Sequence, residues 1–404
     1  MTAKTENTTR SKLGLIVLAY IAFISLGLPD GLFGVAWPSI RESFSLRLDA
    51  AGAFFFAATA GYMTSSFFSG KVISKLGVGG TLAASCALTA SALLGYTFVP
   101  VWWMMVTLAI AAGLGAGAID AGLNTYVASH FGEGLMQWLH ASYGIGVTLG
   151  PIIMTAGLNF FASWRFGYQA VGIAQLLLAT SFLITIQMWK DGGAPHAPEQ
   201  ERHLMDYQTP FGETLRQPVV WLNIFLFFLY TGAEASFGAW TYSLLTLSRG
   251  VPVSVAGLWA GSYWATFTIG RIMAGLLTRR FGNANLLRAG FGLAMAGALL
   301  LWWNPFPSSS IIAVSAIGFA LAPIFPALVS GTRERVGEHH AANTIGMQIA
   351  GAGFGAAVVP SLAGVLAQNI SLEAIPVYLA CVFLLLTVLY FVTSRPRVTQ
   401  EVKA

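Results

Sequence analysis

Charge is scarce in this sequence. Only 9% of its 404 residues are charged, and 56% are hydrophobic. A soluble protein carries about 25% charged residues because its surface must face water. The scarcity of charge therefore excludes a soluble enzyme, a disordered protein and a nucleic-acid-binding protein. The net charge of +5 is typical of a membrane protein with basic loops.

Cysteine is also nearly absent. The two cysteines, Cys86 and Cys381, stand in apolar runs in opposite halves of the chain. Their positions argue against a disulfide framework and against a cysteine-based metal site. The phosphate-binding loop, the His-Glu-x-x-His motif and the Gly-x-Ser-x-Gly motif are missing too. We therefore predict that the protein is not an enzyme and holds neither a metal nor an organic cofactor.

Long apolar runs, in contrast, fill most of the chain. A helix needs about 20 apolar residues to cross a bilayer. The first run follows basic residues, as a signal peptide would, but it is too long for one and more runs follow it. We predict an all-α integral membrane protein with twelve transmembrane helices, called spans 1 to 12, near residues 13–38, 50–74, 80–99, 101–129, 135–161, 166–189, 218–247, 252–277, 285–303, 309–332, 341–368 and 372–393.

The twelve spans divide into two related halves. Residues 190–216 are rich in proline, glycine and charge, which indicates a linker between residues 1–189 and residues 217–404. Short motifs recur across it: Asp30 to Gly34 parallels Glu234 to Gly238 at an offset of 204 residues. Three further glycine-containing motifs recur at offsets of 205, 205 and 209. This order predicts two six-helix bundles that arose by duplication.

Lysine and arginine predict the orientation of the chain. With the N-terminus inside, sixteen of them fall on the cytoplasmic side and four, Arg41, Arg47, Arg165 and Arg249, on the outside; Arg271 lies within the membrane. Basic residues concentrate in cytoplasmic loops. We therefore expect both termini and the linker in the cytoplasm.

This architecture resembles the major facilitator superfamily, in which two six-helix halves are joined by a cytoplasmic linker. The loops after spans 2 and 8 are similar to the superfamily's motif Gly-x-x-x-Asp-Arg-x-Gly. They read Gly70-Lys-Val-Ile-Ser-Lys-Leu-Gly77 and Gly275-Leu-Leu-Thr-Arg-Arg-Phe-Gly282. Both copies lack the motif's aspartate.

Few ionisable residues lie deep in the spans, and such residues are functional candidates because burying a charge in a bilayer costs roughly 2.5–3.5 kcal/mol. Asp30 in span 1 is flanked by Pro29 and Gly31, which weaken the helix and can open it toward a cavity. A carboxyl there can carry a proton or contact a solute, or it can make a structural hydrogen bond.

Asp120 and Asn124 in span 4 are one turn apart and share a face. They can hold two adjacent hydroxyl groups, or one proton and one hydroxyl.

Three further groups are candidates in the remaining spans. Glu234 in span 7 is the repeat equivalent of Asp30, so we include it among the proton-coupling residues. His140 in span 5 can relay protons or bind a solute, or it can be structural. Arg271 in span 8 either pairs with a carboxylate or helix-end carbonyls, or contacts the solute. Tyr263 and Trp264, also in span 8, can stack on the C–H face of a sugar or pack in the core.

A narrower resemblance comes from spans 1, 4, 5 and 10, which read GLPDGLFGVAWPS, GLGAGAIDAGLNTYVA, MQWLHASYGIGVTLGP and GFALAPIFPAL. Together they resemble the fucose-permease-like branch of the superfamily. The resemblance implies that the acidic residues of spans 1 and 4, here Asp30 and Asp120, serve sugar recognition and proton coupling. We add Phe325 in span 10 and Gln348 in span 11 to the expected substrate contacts.

These features predict a secondary active transporter that moves a small polar solute, a sugar, together with a proton by alternating access. Sodium remains open as the coupling ion. The alternative is a proton-driven exporter of drugs or amphipathic metabolites; a receptor or scaffold would give the deep carboxylates no use. We expect a monomeric protein of a bacterial-type plasma (inner) membrane whose partners are the solute and the lipid bilayer, and no nucleic acid.

The charge distribution predicts which face of the membrane exposes the linker. In a variant whose Cys86 and Cys381 are replaced by serine, an Ala194→Cys change should react with a membrane-impermeant maleimide in inside-out vesicles. The same variant should not react in intact cells. Labelling of intact cells would reverse the orientation.

Overall fold

The computed structural model describes residues 2–130, 133–189 and 209–394. Within these ranges the chain is helical and contains no strand. The predicted linker, residues 190–216, lies mostly outside the described residues, as does the C-terminal end from residue 395. The last residues of the linker are described and form a short helix, Phe211–Leu215.

Six spans make up the first half. Span 1 is Thr2–Ser43; spans 2 and 3 form one helix, Ala51–Tyr96; spans 4, 5 and 6 are Trp102–His130, Glu133–Phe161 and Trp164–Ile184. The long helix changes direction at Gly77, whose φ of 69° lies in the left-handed region that glycine tolerates best. Gly282, its repeat equivalent after span 8, has a φ of 76°. Both loops therefore turn at the last glycine of the predicted motif.

The second half repeats this arrangement. Span 7 is Pro218–Ser243, prolonged by a π-helical turn over Leu244–Ser248; spans 8 and 9 are Val253–Phe281 and Asn283–Trp303. Span 10 is broken into Ser309–Leu321 and Ile324–Ser330, and the short helix Thr332–Val336 follows it. Spans 11 and 12 are Glu338–Asn369 and Ala374–Thr393.

Length and composition agree with twelve crossings. Ten described segments are long and apolar enough to cross a membrane. One of them, Leu48–Tyr96, has 49 residues and contains spans 2 and 3. Span 8 adds a crossing of 29 residues that carries Arg271 and so is less apolar. The prediction of a twelve-helix membrane fold is confirmed.

Equivalent contacts recur inside the two halves. Spans 1 and 5 approach so closely that a Cβ on Gly146 would overlap the carbonyl oxygen of Ile24. In the second half a Cβ on Gly355 would overlap the carbonyl oxygen of Phe228, between spans 7 and 11. The two glycines are 209 residues apart and the two carbonyls 204, which are the offsets found in the sequence. The duplication is thus preserved in the packing.

The two halves meet along a pseudo-twofold axis. Spans 1 and 7 cross at Gly34 and Gly238, which are repeat equivalents, and a Cβ on Gly34 would overlap the carbonyl oxygen of Gly238. On either side of this crossing, span 5 packs on span 8 and span 11 packs on span 2. Glycines allow the backbones to approach this closely, as is usual in membrane helix packing.

Contacts between the halves extend from one membrane face to mid-depth. We call the face where span 6 ends and span 7 begins the linker side, and the opposite face the far side. At the far side the backbone N–H of Leu48 donates to Oε1 of Gln368 at 2.7 Å. Near mid-depth, Gly144 lies against Thr268 and Gly353 lies against Met63. The structure is therefore closed on the far side.

A network around Arg249 fixes the far side of the second half. Its guanidinium donates to Glu373 in the loop before span 12, to Ser310 at the start of span 10 and to the carbonyl of Leu301 in span 9. Burial raises the pKa of Glu373, but the hydrogen bonds from Arg249 and Ser248 outweigh it and hold the pKa below its ordinary value. The Arg249 side chain thus connects the loop after span 7 with span 9, span 10 and the loop before span 12.

The crossing of spans 1 and 7 predicts how the conformation responds to a larger side chain. A Gly34→Leu change places atoms where the Gly238 backbone now lies, so it should disfavour the far-side-closed state. Spin labels at Arg47 and Asn369, both exposed on the far side, should move apart in this variant. Gly292→Leu is the matched control, because a Cβ on Gly292 meets open space. An unchanged distance distribution in Gly34→Leu would contradict this role for the crossing.

Candidate functional site

Ionisable and hydrogen-bonding side chains from both halves meet at mid-depth. We call this set the central cluster: Asp30, Tyr62, Asp120, Asn124, His140 and Tyr143 from the first half, with Glu234 and Arg271 from the second. It lies on the linker side of the contacts that close the far side. Neighbouring members are close enough to interact electrostatically. All of the sequence-predicted acidic residues belong to it.

Asp30 is held by span 5. The hydroxyl of Tyr143 donates to Oδ2 of Asp30 at 2.6 Å. The Asp30 residue is exposed even though it lies in the middle of span 1. An exposed carboxyl at this depth, with the far side closed, faces the space between the halves.

Asp120 receives two hydrogen bonds. Tyr62 of span 2 donates its hydroxyl to Oδ2, and Asn124 donates its side-chain amide to Oδ1 at 2.9 Å. Asp120 and Asn124 therefore share a face, as their spacing predicts. Both are only partly buried. Their remaining lone pairs and N–H group are available to hydroxyl groups of a solute.

His140 lies beside these carboxyl groups. The residue is exposed, and its ring meets the edge of Phe23 at a centroid distance of 5.6 Å. It interacts electrostatically with Asp120 in its own half and with Arg271 in the other. His140 therefore lies close to charged groups of both halves.

The second half contributes a carboxylate and a guanidinium. Glu234 is partly buried beside the hydroxyl of Tyr230, which donates to the carbonyl of Leu321 at 2.9 Å. That carbonyl is freed where span 10 breaks, so Tyr230 supplies the partner that a broken membrane helix needs. Arg271 lies over the ring of Phe267, with its guanidinium carbon 4.5 Å from the ring centroid.

Of the other predicted contacts, Tyr263 and Trp264 are buried and Phe325 is partly buried. Tyr263 has no exposed surface and donates to the backbone oxygen of Glu234 at 3.1 Å; Trp264 is 7% exposed. Phe325 packs at centroid distances of 5.2 Å from Phe227 and 6.0 Å from Tyr230. In this conformation these aromatic side chains pack against one another and against span 7 near Glu234.

Gln348 lies in a different environment. It has no exposed surface, and its Oε1 accepts a hydrogen bond from Thr332 at 3.1 Å. Thr332 belongs to the short helix on the linker side that also carries the buried Arg335. In this conformation Gln348 thus belongs to the packing of the linker side.

Sequence reasoning missed the two tyrosines that hold the aspartates. Tyr62 and Tyr143 are 58 and 113 residues from their partners. The only available signal was their distance from the membrane faces, since tyrosines usually gather at the interface.

Among the described residues, no group of three His, Cys, Asp or Glu side chains is arranged to hold a metal ion.

A helical membrane protein of two related halves, with polar side chains at mid-depth between them, has the architecture of a solute transporter. A sequence profile of the Major Facilitator Superfamily matches residues 19–347 and 241–404. The chain belongs to this superfamily, whose members are transporters and not enzymes.

Several curated proteins are similar over most of their length. The chain is 24% identical to Bypass of stop codon protein 6 of Saccharomyces cerevisiae, covering 89% of this chain and 78% of that protein. It is 21% identical to the glucose/mannose transporter GlcP of Bacillus subtilis, covering 87% of each. It is 20% identical to human sodium-dependent glucose transporter 1, covering 85% and 72%. Relatives of this chain therefore include sugar transporters.

Solved structures share the fold. A bacterial homologue of the human lysosomal transporter Spinster, in an inward-facing and occupied conformation, superposes with a TM-score of 0.73 at 13% identity, covering 95% of this chain and 97% of that one. The D-xylose-proton symporter superposes with a TM-score of 0.70 at 14% identity, covering 94% and 97%. The expectation of the major facilitator fold is confirmed.

Proposed function

We propose that this protein is a secondary active transporter that carries a sugar together with a proton by alternating access. The observation that supports this best is the pair of tyrosine-bound aspartates, Asp30 and Asp120, which face the space between the halves. Carboxylates and amides bind hydroxyl groups through hydrogen bonds, and the same carboxylates can take up a proton. The sugar transporters among its relatives support the same solute class.

The energetic argument concerns charge. Reorienting the halves around an ionised carboxylate exposes that charge to a low-dielectric interior, which is costly. Protonation removes the charge and lowers this cost, so solute and proton move together. An inward proton gains about 2.3 kcal/mol per 100 mV of membrane potential. We place the linker and both termini in the cytoplasm, consistent with the basic residues of the linker side, and propose a monomer in a bacterial-type inner membrane.

The competing function is proton-driven export of amphipathic compounds. The aromatic side chains near Glu234, among them Tyr263 and Phe325, favour this alternative. Purified protein in liposomes separates the two. An inward proton gradient should drive accumulation of radiolabelled D-glucose, D-mannose or D-xylose. A sodium gradient of equal size, applied without a proton gradient, tests the other ion. Accumulation of an amphipathic cation by antiport, with no sugar uptake, would favour the exporter and overturn the proposal.

Asp30 should be required for coupling. Asp30→Asn mimics the protonated state permanently, so this variant should bind sugar and exchange it down its gradient. It should lose accumulation driven by a proton gradient, because no charge changes during the cycle. The measurement is uptake in liposomes with and without the gradient, beside counterflow of the same sugar.

Asp49→Asn is the control for this experiment, because Asp49 pairs with Arg47 in the loop between spans 1 and 2. It should transport like the wild type. Full proton-driven accumulation by Asp30→Asn would leave Asp120 and Glu234 as the coupling carboxylates. A loss of binding would make Asp30 a solute contact instead.

Asn124 should contribute to binding. Asn124→Ala removes an amide that donates to Asp120 and can bind a hydroxyl, and leaving a buried polar partner unsatisfied costs about 1–3 kcal/mol. The dissociation constant of the transported sugar, measured by titration calorimetry, should rise about 5- to 150-fold. Asn285→Ala, at an exposed position in the first turn of span 9, should leave it unchanged. Equal affinity in a folded Asn124→Ala protein would assign Asn124 a structural role.

A further inference from the structure

Arg271 lacks the partner that a guanidinium within a membrane needs. Its Nε is buried and has no hydrogen-bond partner. No ion pair within 4 Å involves Arg271 among the described residues, where the pairs found are Arg47–Asp49, Arg249–Glu373 and Arg333–Glu338. Charged groups in a membrane interior pair with one another or mark a solute pathway. An unpaired guanidinium that interacts with the exposed His140 indicates that its partner is a ligand.

The position of this guanidinium is fixed by two aromatic residues on the same face of span 8. Tyr263, Phe267 and Arg271 follow one another at intervals of four residues and so form a column on one face of span 8. The ring of Phe267 is 2% exposed and lies 6.2 Å from the ring of Tyr263, which is bonded to the backbone of Glu234. The column therefore holds Arg271 at a set distance from span 7.

Glu234 lies opposite Arg271 but does not pair with it. The two interact electrostatically, yet they are more than 4 Å apart. The gap separates an acceptor-only group from a donor-only group. A vicinal diol has the complementary arrangement, because one hydroxyl can donate to the carboxylate while its neighbour accepts from the guanidinium.

We propose that Glu234 and Arg271 form a second solute-binding site, in the second half, for two adjacent hydroxyl groups of an uncharged sugar. This inference rests on the proposed function and extends it by giving the second half a direct contact with the solute. Closure around a sugar held by Asp120 and Asn124 on one side and by this pair on the other would then join the halves through the solute.

Charge decides between an uncharged and an anionic solute. The described part of the central cluster contains three carboxyl groups, those of Asp30, Asp120 and Glu234, and one guanidinium. A sugar acid would add a fourth carboxylate to this excess. A neutral diol adds no charge and satisfies both Glu234 and Arg271.

The test compares the affinity of the protein for D-glucose with its affinity for monodeoxy analogues of D-glucose. Wild-type protein should bind D-glucose at least ten times more tightly than the two deoxy-D-glucose analogues that lack one hydroxyl of the held pair; the 2-, 3-, 4- and 6-deoxy analogues cover the positions. Arg271→Gln should bind D-glucose about as weakly as wild type binds those analogues. It should no longer discriminate against the analogue that lacks the hydroxyl facing Arg271.

Two further variants make the test specific. Arg271→Lys keeps the charge but loses the planar fork of donors, so it too should lose discrimination, and it serves if Arg271→Gln does not fold. Arg288→Gln is the matched control, since Arg288 also lies over a phenylalanine ring, 5.9 Å from that of Phe391, but is exposed. It should discriminate like the wild type.

Three outcomes would overturn the inference. Unchanged discrimination in Arg271→Gln would place the site elsewhere. Restored binding in a Glu234→Gln, Arg271→Gln double variant would make the two residues a structural charge pair. Tighter binding of D-glucuronate than of D-glucose, lost in Arg271→Gln, would make the solute anionic. If wild-type protein binds none of these sugars, the proposed function fails rather than this site alone.

Discussion

Hydrocarbon offers no hydrogen bonds, and this constraint determines most of what the structure contains. Backbone groups must be satisfied within helices, so a chain with this composition folds into helical spans joined by turns. Polar side chains at mid-depth must find partners or face a hydrated space between the halves. Tyr143 for Asp30 and Tyr62 for Asp120 are such partners. The break in span 10 is tolerated because Tyr230 binds the carbonyl of Leu321.

Much of this could be predicted from the sequence. Twelve apolar runs and recurring motifs at a nearly constant offset predict the fold, because the length of each span and the duplication are both visible as patterns in the sequence. The shared face of Asp120 and Asn124 follows from one helical turn. The tyrosine partners could not be predicted, because they come from other helices and no local pattern records them. Neither could the burial of Gln348 beside Thr332, which depends on how span 11 meets the linker side.

Duplication has been followed by a division of roles between the halves. Asp120 and Tyr62 correspond, at the repeat offset of 205, to Phe325 and Phe267. The two positions that form a hydrogen bond in one half are thus both phenylalanine in the other, where Phe267 lies under the guanidinium of Arg271. Only the carboxyl of span 1 persists, as Glu234 in span 7. The first half therefore carries two of the three mid-depth carboxyl groups and His140, whereas the second half carries Glu234 and Arg271.

If the halves rotate about the crossing of Gly34 and Gly238, as the proposed alternating access requires, the pivot is not at the centre of span 1. At 1.5 Å per residue, Gly34 is about 14 Å from the end of span 1 at Ser43 and about 30 Å from Gly14 near the linker side. A given rotation of the two halves about this point displaces the linker-side ends roughly twice as far as the far-side ends. Under the proposed mechanism, the helix ends on the far side would therefore move less than those on the linker side for the same rotation.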